Sequence, residues 1–348
     1  MKTFRLIGMT LMVVLMCVAC SNQDADEPSL EADAQKTYEV SLNFSGDYID
    51  VTESPLSRAD EPKKYYAIDV LCMKTDGTQS SYTAYARGVF DNLEDMKITL
   101  LGGYKYKFVC TSATEGEDKF YVVKNTSYGD RLRWPYESNT YLSDLNKFTM
   151  KYNFGTSLYS GYTYYNNGNP SYYPKMDRYY GEPMDYTPKD GGTATIPMKR
   201  CVFGVKMTVN AVPDGTLSWD PYCTEKSNHY SFNLSQYSHI GTEKLEFSSV
   251  YTFYEVYNCW QKAVAGEDYT KTFTINFTWT RANGYTQNFS KEFTVKRNVM
   301  TNINVTLTGG SEEVSVGIQE ENSEMTSEST DVNYDGGSLN GTEVDPQQ

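Results

Sequence analysis

MKITLLGGYKYKFVC, residues 96–110, decides how the rest of the chain is read. Met96, Ile98 and Leu100 share one phase and run into Gly102-Gly103. Tyr104, Tyr106, Phe108 and Cys110 share another, separated by Lys105 and Lys107. Successive side chains of a strand point to opposite faces, so an apolar residue at every second position marks a half-buried strand. Two such runs flanking Gly-Gly form a hairpin, because glycine supplies the positive φ that a tight turn requires.

The same period recurs in two clusters. In the first, Tyr38, Val40, Leu42 and Phe44 alternate with Glu39, Ser41 and Asn43, and Tyr66, Ile68, Val70 and Cys72 follow. In the second, Cys201, Phe203, Val205, Met207 and Val209 precede a Pro213-Asp214-Gly215 turn into Thr216–Trp219. Phe273, Ile275, Phe277 and Trp279 then lead through Asn283-Gly284 to Phe289, Phe293 and Val295, and Ile303, Val305 and Leu307 close the set. No segment carries a long amphipathic helix. The expected fold is all-β: two antiparallel β-sandwich domains of transthyretin or immunoglobulin type in series, at residues 36–124 and 193–308, joined by a Tyr-rich connecting region at 125–192.

With 348 residues, 31 Tyr, 15 Phe and 4 Trp, the chain has enough apolar surface for two modest cores. Its net charge of −14 lies in the tails. Residues 21–35 and 309–348 carry acids and no base, while 36–308 is close to neutral. Such tails self-repel and stay solvated, so 309–348 reads as a disordered acidic tail, and neither tail suits nucleic acid.

The opening MKTFRLIGMTLMVVLMCVAC has two bases, an apolar run too short to span a membrane, and small residues before a cysteine. Val18-Ala19-Cys20 resembles the lipobox of bacterial lipoproteins. That resemblance implies a signal peptide at 1–20, acylation of Cys20 and an acidic tether at 21–35. Each buried acyl methylene contributes about 0.8 kcal/mol, so several chains on one cysteine hold a protein firmly. SNQDADE resembles the export tag of surface lipoproteins in Bacteroides-like bacteria, which implies the outer face of the outer membrane.

Five cysteines follow the lipobox: Cys72, Cys110, Cys201, Cys223 and Cys259. Their odd number and the absence of CxxC point to neither a zinc site nor a full disulfide framework. Cys72 and Cys110 lie on the apolar phase of their strands, which suits buried thiols and leaves a Cys72–Cys110 bridge open. Residues 155–189 hold nine tyrosines. Rings of this kind serve either as a recognition platform for sugars or proteins, with Tyr164, Tyr165, Tyr172 and Tyr173 as candidate ligand surface, or as packing for an irregular connection.

Local signs of catalysis are missing. His229 and His239 are too far apart for a metal pair on one helix face, no phosphate loop or GxSxG elbow occurs, and Glu94-Asp95 are strand neighbours on opposite faces. The expectation is a non-enzyme with no metal or cofactor.

Four pieces in order carry a family resemblance: YEVSLNFSGDYIDV before SPLSRAD, MKITLLGGYKYKFVC, IPMKRCVFGVKMTV read as opening the second sandwich, and VKRNVMTNINVTL. Together they resemble the fimbrillin-like surface lipoproteins of Bacteroides-like bacteria, which include fimbrial subunits and their anchor and tip relatives. In polymerising members an arginine-specific protease cuts after the first strand, and a strand from the next subunit fills the groove, a case of β-strand addition. The resemblance implies Arg58 as the candidate processing site, Ala59 as the new N-terminus, and Tyr38, Val40, Leu42 and Phe44 as the plug lost on cutting. The family's C-terminal donor strand is thin here, with only Val314, Val316 and Ile318 alternating, and cutting at Arg58 would discard Cys20 and its lipid. The reading favoured is an uncut, anchor-like fimbrial accessory protein with the outer membrane, other fimbrial subunits or host ligands as partners. A glycan-binding lipoprotein beside a sugar importer is the alternative.

Overall fold

The computed structural model describes residues 36–46, 64–114, 121–123, 131–133, 140–141, 145–150, 163–164, 170–171, 173–183, 185–234, 238–240, 243–309, 314–319 and 332–335. The described residues are all-β apart from one 3-10 turn, Leu93–Asp95, and one helix. The first cluster gives β1 (Thr37–Gly46), β2 (Lys64–Lys74), β3 (Thr83–Phe90), β4 (Lys97–Leu101) and β5 (Tyr104–Thr114). β4 and β5 are the quoted hairpin strands, and Gly103 holds a φ of 74° at its turn. They do not pair with each other as a simple hairpin: β4 pairs with β1, and β5 pairs with β2.

The connecting region is strand-bearing as well. It holds a three-stranded sheet of β6 (Tyr121–Val123), β7 (Arg131–Arg133) and β8 (Thr140–Tyr141), then β9 (Lys147–Met150), the pair β10 (Thr163–Tyr164) and β11 (Pro170–Ser171), and β12 (Arg178–Gly181). β13 (Thr193–Arg200) follows. One eight-stranded path, β4-β1-β13-β12-β5-β2-β3-β9, forms the first sandwich. It folds over so that Val40, Leu42, Ile98, Leu100, Ile196 and Met198 meet Ile68, Val70, Phe90 and Phe108 in one core. β13 turns the corner, pairing with β1 up to Met198 and with β12 from Lys199.

This placement corrects the expected boundary at Thr193. Ala194, Ile196 and Met198 are buried in the first core, so the second sandwich opens at Val202, and 125–192 contributes β9 and β12 to the first sheet instead of only linking two domains. The apolar phase itself marks the crossover: it runs on even numbers through Met198 and on odd numbers from Cys201.

The second sandwich contains β14 (Val202–Val209), β15 (Thr216–Trp219), β16 (Tyr222–Glu225), β17 (Ser231–Asn233), β18 (Ser238–Ile240), β19 (Leu245–Thr252), helix α1 (Val256–Val264), β20 (Thr270–Thr280), β21 (Thr286–Lys296), β22 (Met300–Gly309), β23 (Val314–Gln319) and β24 (Val332–Asp335). One sheet runs β19-β14-β22-β23-β24. The other is built on β20, which pairs with β15, β16 and β21. Phe203 lies at the centre of the aromatic core, with the rings of Tyr173, Phe232, Tyr251, Phe253 and Phe273 at centroid distances of 4.9 to 5.8 Å. Gly215 holds a φ of 74° where an added Cβ would sit 2.0 Å from the Thr280 carbonyl oxygen, so that turn excludes every side chain.

The two sandwiches share apolar surface. Tyr65, Ala67, Val89, Val109 and Ala113, on the reverse face of the first sheet, join Met176 and Tyr180 in the second core. β2 is therefore covered on both faces from Tyr65 to Val70. Asp69, on that reverse face, is buried and satisfied by Arg87, whose Nη2 donates to Oδ2 at 2.6 Å.

Candidate assembly site at the first strand

β1 is an interior strand. It runs antiparallel to β4, with Thr37 opposite Leu101 and Ser41 opposite Lys97, and parallel to β13, with Ser41 opposite Thr193 and Gly46 opposite Met198. The alternation that identifies it in the sequence is the alternation of its burial. Tyr38, Val40 and Leu42 are buried, Glu39 and Asn43 are exposed, and Phe44 is half-buried with its ring stacked on Tyr66 at 5.5 Å and 17°. Three of the four expected plug residues thus fill the core outright, and the fourth packs at its rim.

Backbone hydrogen bonds fix the seat at several points. The Leu42 N–H donates to the Met96 carbonyl at 2.9 Å, the Ser41 N–H to Gly192 at 3.2 Å, and the Gly102 N–H to Lys36 at 2.8 Å. At the strand's start Lys36 Nζ meets Asp190 Oδ2 at 2.7 Å and lies 4.8 Å from the Tyr38 ring centroid. Burying three such side chains contributes about 1.5–3 kcal/mol each. Taking β1 away would also leave β4 and β13 with unpaired backbone groups on facing edges, so the slot demands another strand. Cys20, Arg58 and Ala59 lie outside the described residues, as do Tyr165 and Tyr172.

The tyrosine surface divides. Tyr164 lies in β10, opposite Pro170. Tyr173 does not belong to a ligand surface: it is 1% exposed, its ring packs on Phe203 and Phe273, and its hydroxyl donates to Glu225 Oε2. A 52-residue separation in sequence hides this contact, which is why a locally read Tyr-rich stretch gave no sign of it.

Glu225 is the centre of a polar cluster that sequence reasoning missed. It is 1% exposed and accepts from Tyr173, Ser227, Asn228 and Lys271, the last at 3.1 Å. Lys271 Nζ also donates to Glu255 Oε2 at 3.0 Å, and the Tyr269 hydroxyl donates to the same oxygen at 2.8 Å. Burial alone would raise the Glu255 carboxyl, but the bonds from Lys271 and Tyr269 outweigh it and hold the group below the ordinary range. Burial would lower Lys271, yet Glu255 and Glu225 keep it above the ordinary ammonium value. The available sequence signal was Glu225 itself, a carboxylate on the inward phase set by Cys223. The cluster fastens the connecting region to the second sandwich, with two carboxylates sharing the one ammonium of Lys271, so it has the character of a clamp. Among the described residues no group of three or more His, Cys, Asp or Glu side chains is placed to hold a metal.

The Cys72–Cys110 bridge that the sequence left open is excluded by register, and both are free, buried thiols. Cys72 lies opposite Tyr106 on β5, and Cys110 lies opposite Ile68, four strand positions away. At about 3.3 Å per residue the two are far beyond the roughly 7 Å that a disulfide spans.

No family model and no curated protein matches the chain. Solved structures similar to it include the fimbrial anchor protein Mfa2 from Porphyromonas gingivalis, at 9% identity and a TM-score of 0.31 over 81% of this chain and 97% of that one. They also include a fimbrial assembly protein from Parabacteroides distasonis, at 14% identity and a TM-score of 0.29 over 85% and 99%.

Proposed function

We propose that this chain is a surface lipoprotein of a fimbrial system that acts in adhesion, held to the outer membrane by lipid on Cys20 and keeping its own first strand. The supporting observation is the seat of β1. With residues 36–46 in place the first sandwich closes its own sheet, and a lipid on Cys20 would stay joined to it through residues 21–35. Loss of β1 would break that continuity and open a two-sided slot for another subunit's strand. An anchor or accessory protein needs the first arrangement, and a shaft subunit the second. The alternative of a glycan-binding lipoprotein loses Tyr173, one of its four candidate tyrosines, to the core.

The test is the N-terminus and intact mass of the protein taken from native cell surfaces. A chain that begins at acylated Cys20 is the expected result. A chain that begins at Ala59 would overturn the anchor reading in favour of a polymerising subunit.

A further inference from the structure

The crossover between the two sandwiches brings two buried cysteines together. Cys201 follows the last residue of β13, and its carbonyl accepts from the Phe253 N–H at 3.1 Å, which draws the chain leading into α1 against it. α1 turns one stripe inward, Val256, Cys259 and Ala263, and its Trp260 Nε1 donates to the Pro197 carbonyl on β13 at 3.1 Å. Cys201 and Cys259 are both fully buried in the second core. Both are free thiols in this structure. The Cys259 thiol has that of Cys201 as its neighbour, and the Cys201 Sγ donates to the Lys199 carbonyl at 3.4 Å. The other three cysteines lack such a neighbour: Cys72 bonds Thr83 Oγ1, Cys110 lies in the first core, and Cys223 is inward on β16.

We propose that Cys201 and Cys259 form a disulfide when the chain folds in an oxidising compartment. The expectation that the compartment is oxidising rests on the surface reading above. Both S–H bonds break and one S–S bond forms. The two electrons and two protons pass to an external disulfide, either that of a thiol–disulfide oxidoreductase or oxidised glutathione, which leaves as two thiols by way of a mixed disulfide. The bond would pin α1 to the strand-to-strand crossover, so that the junction of the domains is covalently closed. Burial pushes the Cys259 thiol up, so in the folded chain the pair is slow to react and the bond forms during folding.

The experiment uses the lipidated chain extracted from membranes, with thiols blocked by N-ethylmaleimide in guanidinium and no reductant, followed by intact mass and peptide mapping. The expected result is blocking of Cys72, Cys110 and Cys223 and a linked Cys201–Cys259 peptide pair. A second sample is unfolded, reduced and refolded with oxidised glutathione before blocking. A bridge in this sample alone supports the pairing and counts against the oxidising compartment, whereas label on Cys201 and Cys259 in both samples, or a bridge elsewhere, overturns the proposal. Reduction should lower the melting temperature by roughly 5 °C in the native chain and leave a Cys201→Ala/Cys259→Ala variant unchanged.

Discussion

β1 and β14 each open a sandwich, and each lies between an antiparallel neighbour and a parallel one: β4 and β13 flank β1, β19 and β22 flank β14. Their coverage differs. β14 is buried from Val202 to Val205 and again from Met207 to Val209, and it joins β15 through Asn210–Gly215, a turn whose Gly215 excludes any side chain. β1 is buried on one face, ends with a half-buried Phe44, and reaches β2 only through residues 47–63. One pairing scheme thus makes a permanent strand when both faces are covered and the turn is tight. The same scheme also holds a strand with one wet face and a long connection.

Deletion of β1 tests the difference most severely. Removing residues 36–46 forfeits about 5–9 kcal/mol of apolar burial, comparable with the whole stability of a typical domain, and should unfold the first sandwich. A synthetic peptide of residues 37–46 added in trans should restore its protection from proteolysis. If β1 is as fixed as β14, the peptide will restore nothing.

Single truncations give the next largest contrast. Phe203→Ala on β14 should cost about 3–5 kcal/mol in urea unfolding, and Val40→Ala on β1 about 2 kcal/mol. Equal losses would mean that the two strands are covered alike. Tyr173→Phe, which removes one donor from buried Glu225, should cost about 1–3 kcal/mol and act on the second sandwich.

The clamp also predicts a pH dependence. The Glu255 carboxyl is held below its ordinary value, so its contribution is complete above that value and is lost as pH falls through the lower folded one. Glu255→Gln should therefore flatten the fall in stability below about pH 4.5 in urea melts at graded pH. An unchanged acid limb would show that this carboxyl does not carry it. The smallest effect belongs to Lys36→Ala, whose exposed pair with Asp190 is worth less than about 1 kcal/mol and should vanish in high salt.

The period-two pattern made the strands legible, β1 above all, because one face of each is core and the other is not. Partners were less legible. β13 was assigned to the second sandwich because Ile196 and Cys201 read as one run, although the change of phase between Met198 and Cys201 marked the crossover. The parallel pairing of β1 with β13 joins segments 152 residues apart at Ser41 and Thr193, and no local pattern encodes that. β12 was invisible because Arg178, Tyr179 and Tyr180 are not an apolar run. Arg178 is nevertheless fully buried, with its Nε donating to Thr111 Oγ1 at 2.7 Å. Tyr173 and Glu225 escaped for the same reason: a buried polar contact leaves its trace on two distant residues at once.

The parallel register of β1 and β13 also decides how the molecule bears load. A pull that enters at Lys36 and leaves through Arg200 into the second sandwich draws the two strands in opposite directions along their length. Every hydrogen bond from Ser41 to Gly46 is then sheared together, whereas an antiparallel partner would be peeled one bond at a time. A strand that a cut connection would free can therefore, while intact, hold against tension as a lap joint does.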